Sequence, residues 1–192
     1  MKNDPIIRFK ELLSQAARLG IQPYNAAAFA ACGNNLQPTV RMLLLKDVDE
    51  RGFVFYTNLQ SRKGRQLTDN PRASACFWWE QLKRQVRIEG RVEMVSDREA
   101  DEYFTSRPRG SQIGAWASHQ STELASCDEL LAAVTSLTAK YRDQSVPRPP
   151  HWSGYRLVPE RIEFWQEQPD RLHSRELYTR HENGWQMTLL AP

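Results

Sequence analysis

The sequence is poor in cysteine and has no long apolar run. Its three cysteines, Cys32, Cys76 and Cys127, are odd in number, widely spaced and form no CxxC pair. This spacing suggests neither a disulfide framework nor a zinc site, and it favours buried structural thiols in a reducing cytoplasm. No apolar run is long enough to span a bilayer, and the first residues do not resemble a signal peptide. We therefore expect a protein without a membrane segment or a leader.

The chain also carries little net charge and no histidine pattern typical of a metal site. Its 192 residues, 40% hydrophobic and 26% charged, fit a single soluble globular domain covering residues 1–192. A net charge of +3 suits anionic small molecules, whereas a nucleic-acid-binding protein would usually show a stronger basic stripe. His119, His151 and His181 are too scattered to predict a metal site.

One stretch has no acidic side chain at all. Between Tyr103 and Thr122 there is no Asp or Glu, although both are common elsewhere. Within it, residues 106–121 read SRPRGSQIGAWASHQS and combine two arginines with serines, glutamines and two glycines. Donors without counter-charges suggest an anion site, because Arg can bind a phosphate through two parallel hydrogen bonds. The stretch matches neither a P-loop nor a dinucleotide fingerprint, and a solvated loop with a helical turn also fits it.

Hydrophobic periodicity predicts helices alternating with short strands. Asp4 followed by Pro5 indicates the start of a helix that ends at Gly20, and Ser96 opens a capping box for a helix to about residue 105. Further helices are predicted at 61–67 and 122–141. Strands are predicted at 26–32, 39–46, 52–57, 73–79, 85–95, 155–158, 161–166, 175–180 and 185–190.

These strands predict a mainly β fold. Strands 39–46 and 52–57 flank a polar turn and should form a hairpin. In strand 85–95, alternation with charged residues predicts that one face packs on the core, and that face carries Val86, Ile88, Val92 and Met94. Gly90 lies on the same face and suggests a bulge or a tight bend. The expected architecture is a closed or nearly closed antiparallel barrel with helices around it, because closure removes exposed strand edges.

Two cationic motifs indicate anion binding. Arg41 and Lys46 flank a methionine and three leucines in RMLLLK, and five positions apart on a strand they would point to opposite faces. At least one face is buried, and a charge beside a buried face requires an anion or a carboxylate. Ser61 before Arg62 and Lys63 predicts a helix start where free amides, the helix dipole and two cations attract an anion. An ordinary N-cap with two solvated cations also fits.

A third set could bind one phosphate group. Tyr103 and Arg107 are four positions apart and would share a helix face if the helix continued. Ser111 follows them in the predicted loop. One guanidinium, one phenol and one hydroxyl together make a compact monophosphate site.

A fourth set lies in RLHSR. Arg171, His173 and Arg175 alternate, so they would share one face of an extended segment. Three cationic or titratable side chains on one face repel each other unless an anion lies there. A solvated edge strand is the alternative interpretation.

The segment SRPRGSQIGAWASHQS closely resembles the signature of the pyridoxamine 5'-phosphate oxidase family. The resemblance continues in RMLLLK, FYTN, SRKG, RQVRIEG, FWQ and RLHSR, in order, from about Asp4 to Pro192. It implies an antiparallel FMN-binding split barrel, mainly β with helices, that works as a homodimer with FMN between the subunits. It also implies oxidation of pyridoxamine or pyridoxine 5'-phosphate to pyridoxal 5'-phosphate, with O2 as acceptor and H2O2 as product.

The resemblance also implies roles for individual residues. Those expected to contact FMN are Arg41, Met42, Leu43, Leu44, Leu45, Lys46, Tyr56, Thr57, Ser61, Arg62, Lys63, Gln85, Gln120, Ser121, Trp165 and Arg175. Those expected to contact the substrate are Lys46, Tyr103, Arg107, Ser111, Arg171 and His173, with Arg171 and His173 as the catalytic pair over the flavin. Arg41 would face the FMN phosphate and Lys46 the substrate phosphate. Gln120 and Ser121 would be donated by the partner subunit.

Three other functions remain open. They are an FMN oxidase of the same fold acting on another substrate, as in phenazine biosynthesis, a non-catalytic flavin- or haem-binding split barrel, and a nucleic-acid-binding barrel with strongly salt-dependent binding. All six implied substrate residues match the vitamin B6 pattern, which favours the oxidase. Some family members carry a longer N-terminal arm over the active site. Few residues precede the first predicted helix here, so we expect no lid from that region.

Overall fold

The computed structural model describes residues 4–192, which form one curled antiparallel sheet with helices around it. The helices are α1 (Pro5–Arg18), α2 (Arg62–Asp69), α3 (Asp97–Ser106), α4 (Arg109–Ala117) and α5 (Cys127–Lys140). The strands are β1 (Ala26–Cys32), β2 (Pro38–Leu44), β3 (Asp47–Asp49), β4 (Gly52–Asn58), β5 (Arg72–Trp79), β6 (Arg84–Met94), β7 (Trp152–Gln166), β8 (Ser174–His181) and β9 (Gly184–Leu189). No helix in this part of the chain is long and apolar enough to cross a membrane.

Strand β7 is the centre of the sheet. The strands follow the order β2-β1-β5-β6-β7-β4-β3, and β8 and β9 extend from β7. Every pair is antiparallel. The final hairpin, with its turn between His181 and Gly184, is confirmed. The predicted class, mainly antiparallel β with helices, is therefore confirmed as well.

Helix α1 packs on the sheet through Phe9. The Asp4 carboxylate accepts a hydrogen bond from the Ile6 backbone N–H at 2.8 Å, so this residue caps the helix as predicted. Phe9 is fully buried, and its ring packs against those of Phe53 and Phe77 with centroids 4.9 Å apart in each case. Such aromatic pairs stabilise packing beyond simple area burial. They attach the helix to the inner face of the sheet.

Gly90 and Pro159 lie at an irregularity between β6 and β7. The pairing register shifts immediately before Gly90. A Cβ atom at this position would lie 2.0 Å from the Val158 carbonyl oxygen, so the predicted bulge requires glycine. The strands predicted at 155–158 and 161–166 are in fact one strand. Pro159 does not interrupt it, because a bulge tolerates a residue that cannot donate to the ladder.

One of the core positions predicted in β6 is wrong. Val86, Ile88 and Val92 are buried as predicted, whereas Met94 is 50% exposed. The strand ends at Met94, and the next residue, Val95, turns into the core instead. Alternation therefore held along the strand and failed only at its end.

The hairpin predicted between 39–46 and 52–57 is also wrong. Strand β2 pairs with β1, whereas β4 pairs with the short β3 and with β7. The chain leaves β2 at Leu45, whose side chain is buried in the core. The backbone N–H of Leu45 donates to the Asn25 carbonyl, and its own carbonyl accepts from the Asn25 side chain, both at 2.8 Å. This inward bend separates β2 from β4 in the sheet.

Helix α5 begins later than predicted. Its N-cap is Ser126, whose side chain accepts a hydrogen bond from the Glu129 backbone N–H. Cys127 is the first helical residue and is exposed, because the first turn of α5 lies on the surface. The prediction of buried structural thiols is therefore wrong for Cys127, and it holds only in part for Cys32 and Cys76, which are half-buried.

A buried arginine connects β7 to β3 and α3. The Arg156 side chain is only 1% exposed, and its guanidinium donates to Asp49 at 2.7 Å and to Glu99 at 2.5 Å. Glu99 also accepts the backbone N–H of Ser96 in the predicted capping box. These hydrogen bonds lower the pKa of Glu99 to about 2, and the one from the Ser96 backbone has the largest effect. The carboxylate is therefore ionised at neutral pH and pairs with the arginine.

Replacing Arg156 with methionine should lower the free energy of unfolding by about 3–5 kcal/mol, because it leaves partly buried carboxylates without their partner. Chemical denaturation at pH 7 measures this. Arg72→Met is the matched control, since the Arg72–Glu160 pair is exposed, with side chains 60% and 44% accessible, and should cost about 0–1 kcal/mol. Equal costs for the two variants would show that the buried network does not stabilise the fold.

Candidate active site

Two adjoining cavities lie beside the C-terminal half of β2. The first, of about 700 Å³, we call the basic cavity; the predicted residues that line it are Arg41, Met42, Leu43, Tyr56, Thr57, Arg62, Lys63, Arg107, Ser111, Gln120 and Ser121. The second, of about 480 Å³, we call the tyrosine cavity; its predicted lining residues are Met42, Leu43, Leu44, Lys46, Tyr56, Tyr103, Arg107 and Ser111. The two cavities share several of these residues, so they form one continuous site.

Lys63 lies at the start of α2 with only neutral hydrogen-bond partners. Its ammonium donates to the Thr57 hydroxyl at 2.7 Å, the Ser61 hydroxyl at 3.0 Å and the Gln120 side-chain oxygen at 2.6 Å. Burial, together with the nearby charge of Arg41, lowers the pKa of Lys63 to about 8. A buried ammonium with no carboxylate partner among the described residues is a favourable site for an anion.

Ser61 supports this site without lining it. The residue is fully buried, its hydroxyl donates to the Asn58 carbonyl at 2.7 Å, and it accepts from the Gly64 backbone N–H at 3.2 Å. It is therefore the N-cap of α2, as predicted. Because it also accepts from Lys63, its hydroxyl orients the ammonium rather than facing the cavity.

Arg41 extends from β2 toward the same cavity. Its guanidinium donates to the backbone carbonyls of Phe29 and Thr39 at 3.2 Å each and to the Thr39 hydroxyl. Burial, with the charge of Arg62 as a second cause, lowers the pKa of Arg41. Arg41, Arg62 and Lys63 form no ion pair with any carboxylate in residues 4–192. The basic cavity therefore holds uncompensated positive charge.

Arg107 lies between the two cavities. Its backbone is extended, because α3 ends at Ser106 and α4 begins after Pro108. The guanidinium lies over the Trp152 ring at 4.8 Å, and burial lowers the pKa of Arg107. Its Nη1 is buried and has no hydrogen-bond partner among the described residues. Buried donors are nearly always satisfied in folded proteins, so this atom indicates a place for a ligand acceptor.

Three aromatic rings form the side of the site next to Arg107. Tyr56 stacks on Tyr103 with centroids 4.1 Å apart and on Trp152 at 5.3 Å. Lys46 places its ammonium 5.8 Å from the Tyr103 ring. Burial raises the pKa of Tyr56 to about 12, and Glu99 adds to this shift. Tyr56 therefore stays neutral, and the stack gives a rigid apolar surface beside the cations.

The segment expected as a loop after Arg107 is helix α4. Ser111 therefore lies on a helix, not in a loop, and it lines both cavities. A Cβ atom at Gly114 would meet nothing within 4 Å, so this glycine leaves open space beside the basic cavity. Arg109 does not contribute to the site, because its guanidinium donates to the backbone carbonyls of Tyr141 and Gln144.

Gln120 and Ser121 line the basic cavity of their own chain. The resemblance implies that a partner subunit donates them, so their place beside Lys63 of the same chain is an additional finding. The turn after α4 is held by the Asn58 side chain, which donates to the Ser118 carbonyl at 3.3 Å. This contact brings Gln120 within 2.6 Å of Lys63.

A second group of predicted residues lines neither cavity. Gln85 on β6 lies opposite Trp165 on β7, which lies opposite Arg175 on β8, so the three form a row across the sheet. The His173 ring is 4.5 Å from the Trp165 ring, and the Gln168 backbone N–H donates to its Nδ1 at 3.2 Å. These side chains form a second polar and aromatic surface.

The alternation predicted for RLHSR is wrong at its start. Arg171 has a positive φ of 60° and lies in a 3-10 turn, and β8 begins only at Ser174. Arg171 therefore does not share an extended face with Arg175. For Arg175 the expected anion comes from the chain itself, because Glu163, 4% exposed, accepts from Arg175 at 2.9 Å and from Arg87 at 2.6 Å.

The sequence did not reveal every residue of the site. Those missed are Asn58, Ser106, Pro108, Gly114, Ala115, Ser118 and Trp152. Asn58 belongs to the FYTN motif and Gly114 to the acid-free stretch, so both carried a signal. Nothing in the sequence around Trp152 marks it, because its role depends on the position of Arg107.

Two family models match the chain. The model described as pyridoxamine 5'-phosphate oxidase matches residues 13–166. The model described as the pyridoxine 5'-phosphate oxidase C-terminal dimerisation region matches residues 152–192. The second match supports the expected homodimer.

Curated relatives agree over nearly the whole chain. The pyridoxine/pyridoxamine 5'-phosphate oxidase of Myxococcus xanthus strain DK1622 is 55% identical over 190 residues, which cover 98% of this chain and 92% of the relative. The protein of the same name from Anaeromyxobacter dehalogenans is 50% identical over 189 residues, covering 98% and 96%. The resemblance to this family is therefore confirmed.

Solved structures confirm the fold. PhzG from Burkholderia lata 383, in complex with tetrahydrophenazine-1-carboxylic acid, has a TM-score of 0.93 and 34% identity over 98% of this chain and 93% of its own. A pyridoxamine 5'-phosphate oxidase-related, FMN-binding protein from Nostoc punctiforme has a TM-score of 0.75 at 16% identity, over 96% of each chain, and shows the same fold. On the family models and the curated relatives together, the chain belongs to the pyridoxamine 5'-phosphate oxidase family.

Proposed function

We propose that this chain is an FMN-dependent oxidase that converts pyridoxamine or pyridoxine 5'-phosphate to pyridoxal 5'-phosphate. The observation that carries the proposal is a pair of adjoining cavities, each with cations that have no carboxylate partner in residues 4–192. Relatives that carry this activity in their names are 50% and 55% identical. Bound FMN would supply a hydride acceptor that O2 reoxidises to give H2O2, and with the amine substrate water would displace the amino group as ammonia.

The basic cavity is the proposed site of the FMN phosphate. Arg41, Arg62 and Lys63 supply the positive charge, and the first turn of α2 adds free backbone N–H groups at the positive end of its dipole. Thr57 and Gln120 already hydrogen-bond Lys63, so they hold the ammonium in place. Two of the three cations have lowered pKa values because of burial. A dianionic phosphate would relieve that cost.

The tyrosine cavity is the proposed site of the substrate phosphate. Arg107 supplies the buried Nη1 that has no partner in the described chain, and Lys46, Tyr103 and Ser111 line the same space. Because the two cavities share Arg107 and Ser111, the two phosphates would be anchored on opposite sides of a short gap. Such anchoring holds the two reacting rings in a fixed relative orientation, which is the proximity contribution to catalysis.

A second copy of the chain completes the proposed site at the subunit interface. Gln85, Trp165, Arg171, His173 and Arg175 line neither cavity of their own chain, and all but Gln85 lie within the matched dimerisation region, 152–192. From the partner subunit they would contact FMN and the substrate ring. We assign positioning of the substrate to Arg171 and His173. The free cysteines support a reducing cytoplasm as the compartment.

The alternative is oxidation of a phenazine precursor. It is favoured by the similarity to PhzG, whose structure contains a carboxylic acid ligand without a phosphate. A carboxylate could also bind Arg107. The full set of hydroxyl and cationic groups in the tyrosine cavity suits a phosphate better, since a phosphate has more acceptor oxygens to satisfy them.

The purified chain supplied with FMN should show a bound-flavin spectrum and produce H2O2 with pyridoxine 5'-phosphate. Unphosphorylated pyridoxine should be oxidised far less efficiently, because it cannot occupy the phosphate site. Tetrahydrophenazine-1-carboxylic acid serves as the competing substrate. Peroxide from the phenazine compound but not from the phosphate ester would establish the alternative function.

Arg107→Ala should raise KM for pyridoxine 5'-phosphate roughly 10- to 100-fold, the cost of losing charge-assisted hydrogen bonds, and should leave FMN bound. Steady-state kinetics and flavin titration measure the two effects. Arg98→Ala is the control, because it removes one positive charge from an exposed pair on α3 whose arginine is 85% accessible. Release of FMN with unchanged KM would reverse the assignment of the two cavities.

FMN affinity should fall as the pH rises through about 8, the pKa of Lys63. Above that pH the free protein loses the ammonium that pairs with the phosphate, so Kd should rise by at most about tenfold per pH unit. Fluorescence titration between pH 7 and 10 tests this. Lys63→Met should bind FMN more weakly and should not show the decline. A wild-type Kd that stays constant over this range would remove Lys63 from the phosphate site.

A further inference from the structure

Thr39 hydrogen-bonds the guanidinium of Arg41 from outside the basic cavity. Its side chain does not line either cavity. Arg41 donates to both the hydroxyl and the backbone carbonyl of Thr39 and to the carbonyl of Phe29. Three neutral oxygens therefore fix the arginine, and its remaining donor capacity is free for the cavity.

Gln66 connects this arginine to helix α2. The Thr39 hydroxyl donates to the Gln66 side-chain oxygen at 2.6 Å, and Gln66 is buried. A hydroxyl has one proton and two lone pairs, so Thr39 can accept from Arg41 while donating to Gln66. Lys63 lies three positions before Gln66 on the same helix. The contact therefore links the strand that carries Arg41 to the helix that carries Lys63.

This link opposes the electrostatic repulsion between Arg41 and Lys63. Lys63 and Arg41 are like charges in a partly buried place, and each cation's pKa is lowered by burial and by a neighbouring cation. In an empty site, Arg41 would gain by rotating into solvent, away from Lys63 and Arg62. Hydrogen bonds to neutral oxygens can hold it without cancelling its charge.

We propose that Thr39 and Gln66 are positioning residues that keep Arg41 directed into the basic cavity before a phosphate arrives. This inference rests on the proposed function, in which that cavity receives the FMN phosphate. Its physical advantage is preorganisation, because a side chain that is already ordered loses less freedom when the ligand binds. Neither residue touches the ligand in this scheme, and neither is a catalytic residue.

The test compares FMN with riboflavin, which has the same ring system but no phosphate. Thr39→Val keeps the shape of the side chain and removes the hydroxyl. It should raise Kd for FMN about tenfold, the effect of one hydrogen bond to a charged group, and leave Kd for riboflavin unchanged. Thr39→Ser retains the hydroxyl and should bind FMN as the wild type does. Gln66→Met should also raise Kd for FMN.

Thr68→Val is the matched control, because it removes from the same helix a hydroxyl that donates to the Gly64 carbonyl and does not line the basic cavity. It should leave both affinities unchanged, and thermal unfolding of each variant measures folding separately. Equal loss of FMN and riboflavin affinity in Thr39→Val would overturn the inference, as would retention of full FMN preference. Equal binding of FMN and riboflavin by the wild type would instead refute the phosphate site of the proposed function.

Discussion

Positive charge without a carboxylate counter-charge is the constraint on which the site depends. Elsewhere in the described chain, buried charges are neutralised internally: Arg156 pairs with Asp49 and Glu99, and Glu163 pairs with Arg175. At the two cavities, the surrounding groups are hydroxyls, amides, carbonyls and aromatic rings. Keeping several cations there costs desolvation free energy. An anionic ligand compensates that cost, so ligand binding completes the electrostatics of the fold.

The sheet brings these cations together from distant parts of the sequence. At Leu45 the chain bends inward, β2 ends and β3 follows. Arg41 therefore lines one cavity and Lys46 lines the adjoining one. Helix α2 adds Lys63 from one side. The break between α3 and α4 adds Arg107 from the other side. The rigidity of these elements explains how like charges can be held close together in the absence of a ligand.

The predicted residues fall into two groups that do not meet within one chain. Apart from Ser61 and Leu45, which line neither cavity, one group lines the cavities, and the other lies on β6, on β7, in the turn before β8 and on β8 itself. A homodimer resolves this separation, because a two-fold interface brings different surfaces of identical chains together. The matched dimerisation region contains most of the second group. In the proposed function the complete site requires both subunits, which would couple catalysis to assembly.

The sequence by itself determined the family, the mainly antiparallel β class and most of the residues that line the two cavities. These depend on local patterns: alternation in β6, the caps at Asp4, Ser61 and Ser96, and motifs of consecutive residues. Tertiary structure alone decided the strand pairing apart from the final hairpin, the inward bend at Leu45 and the partners of each cation. Thr39 and Trp152 acquire roles only through contacts with Arg41 and Arg107. Arg107 and Trp152 are far apart along the chain, and Thr39 lies outside the RMLLLK motif. Local sequence patterns therefore carry no information about either contact.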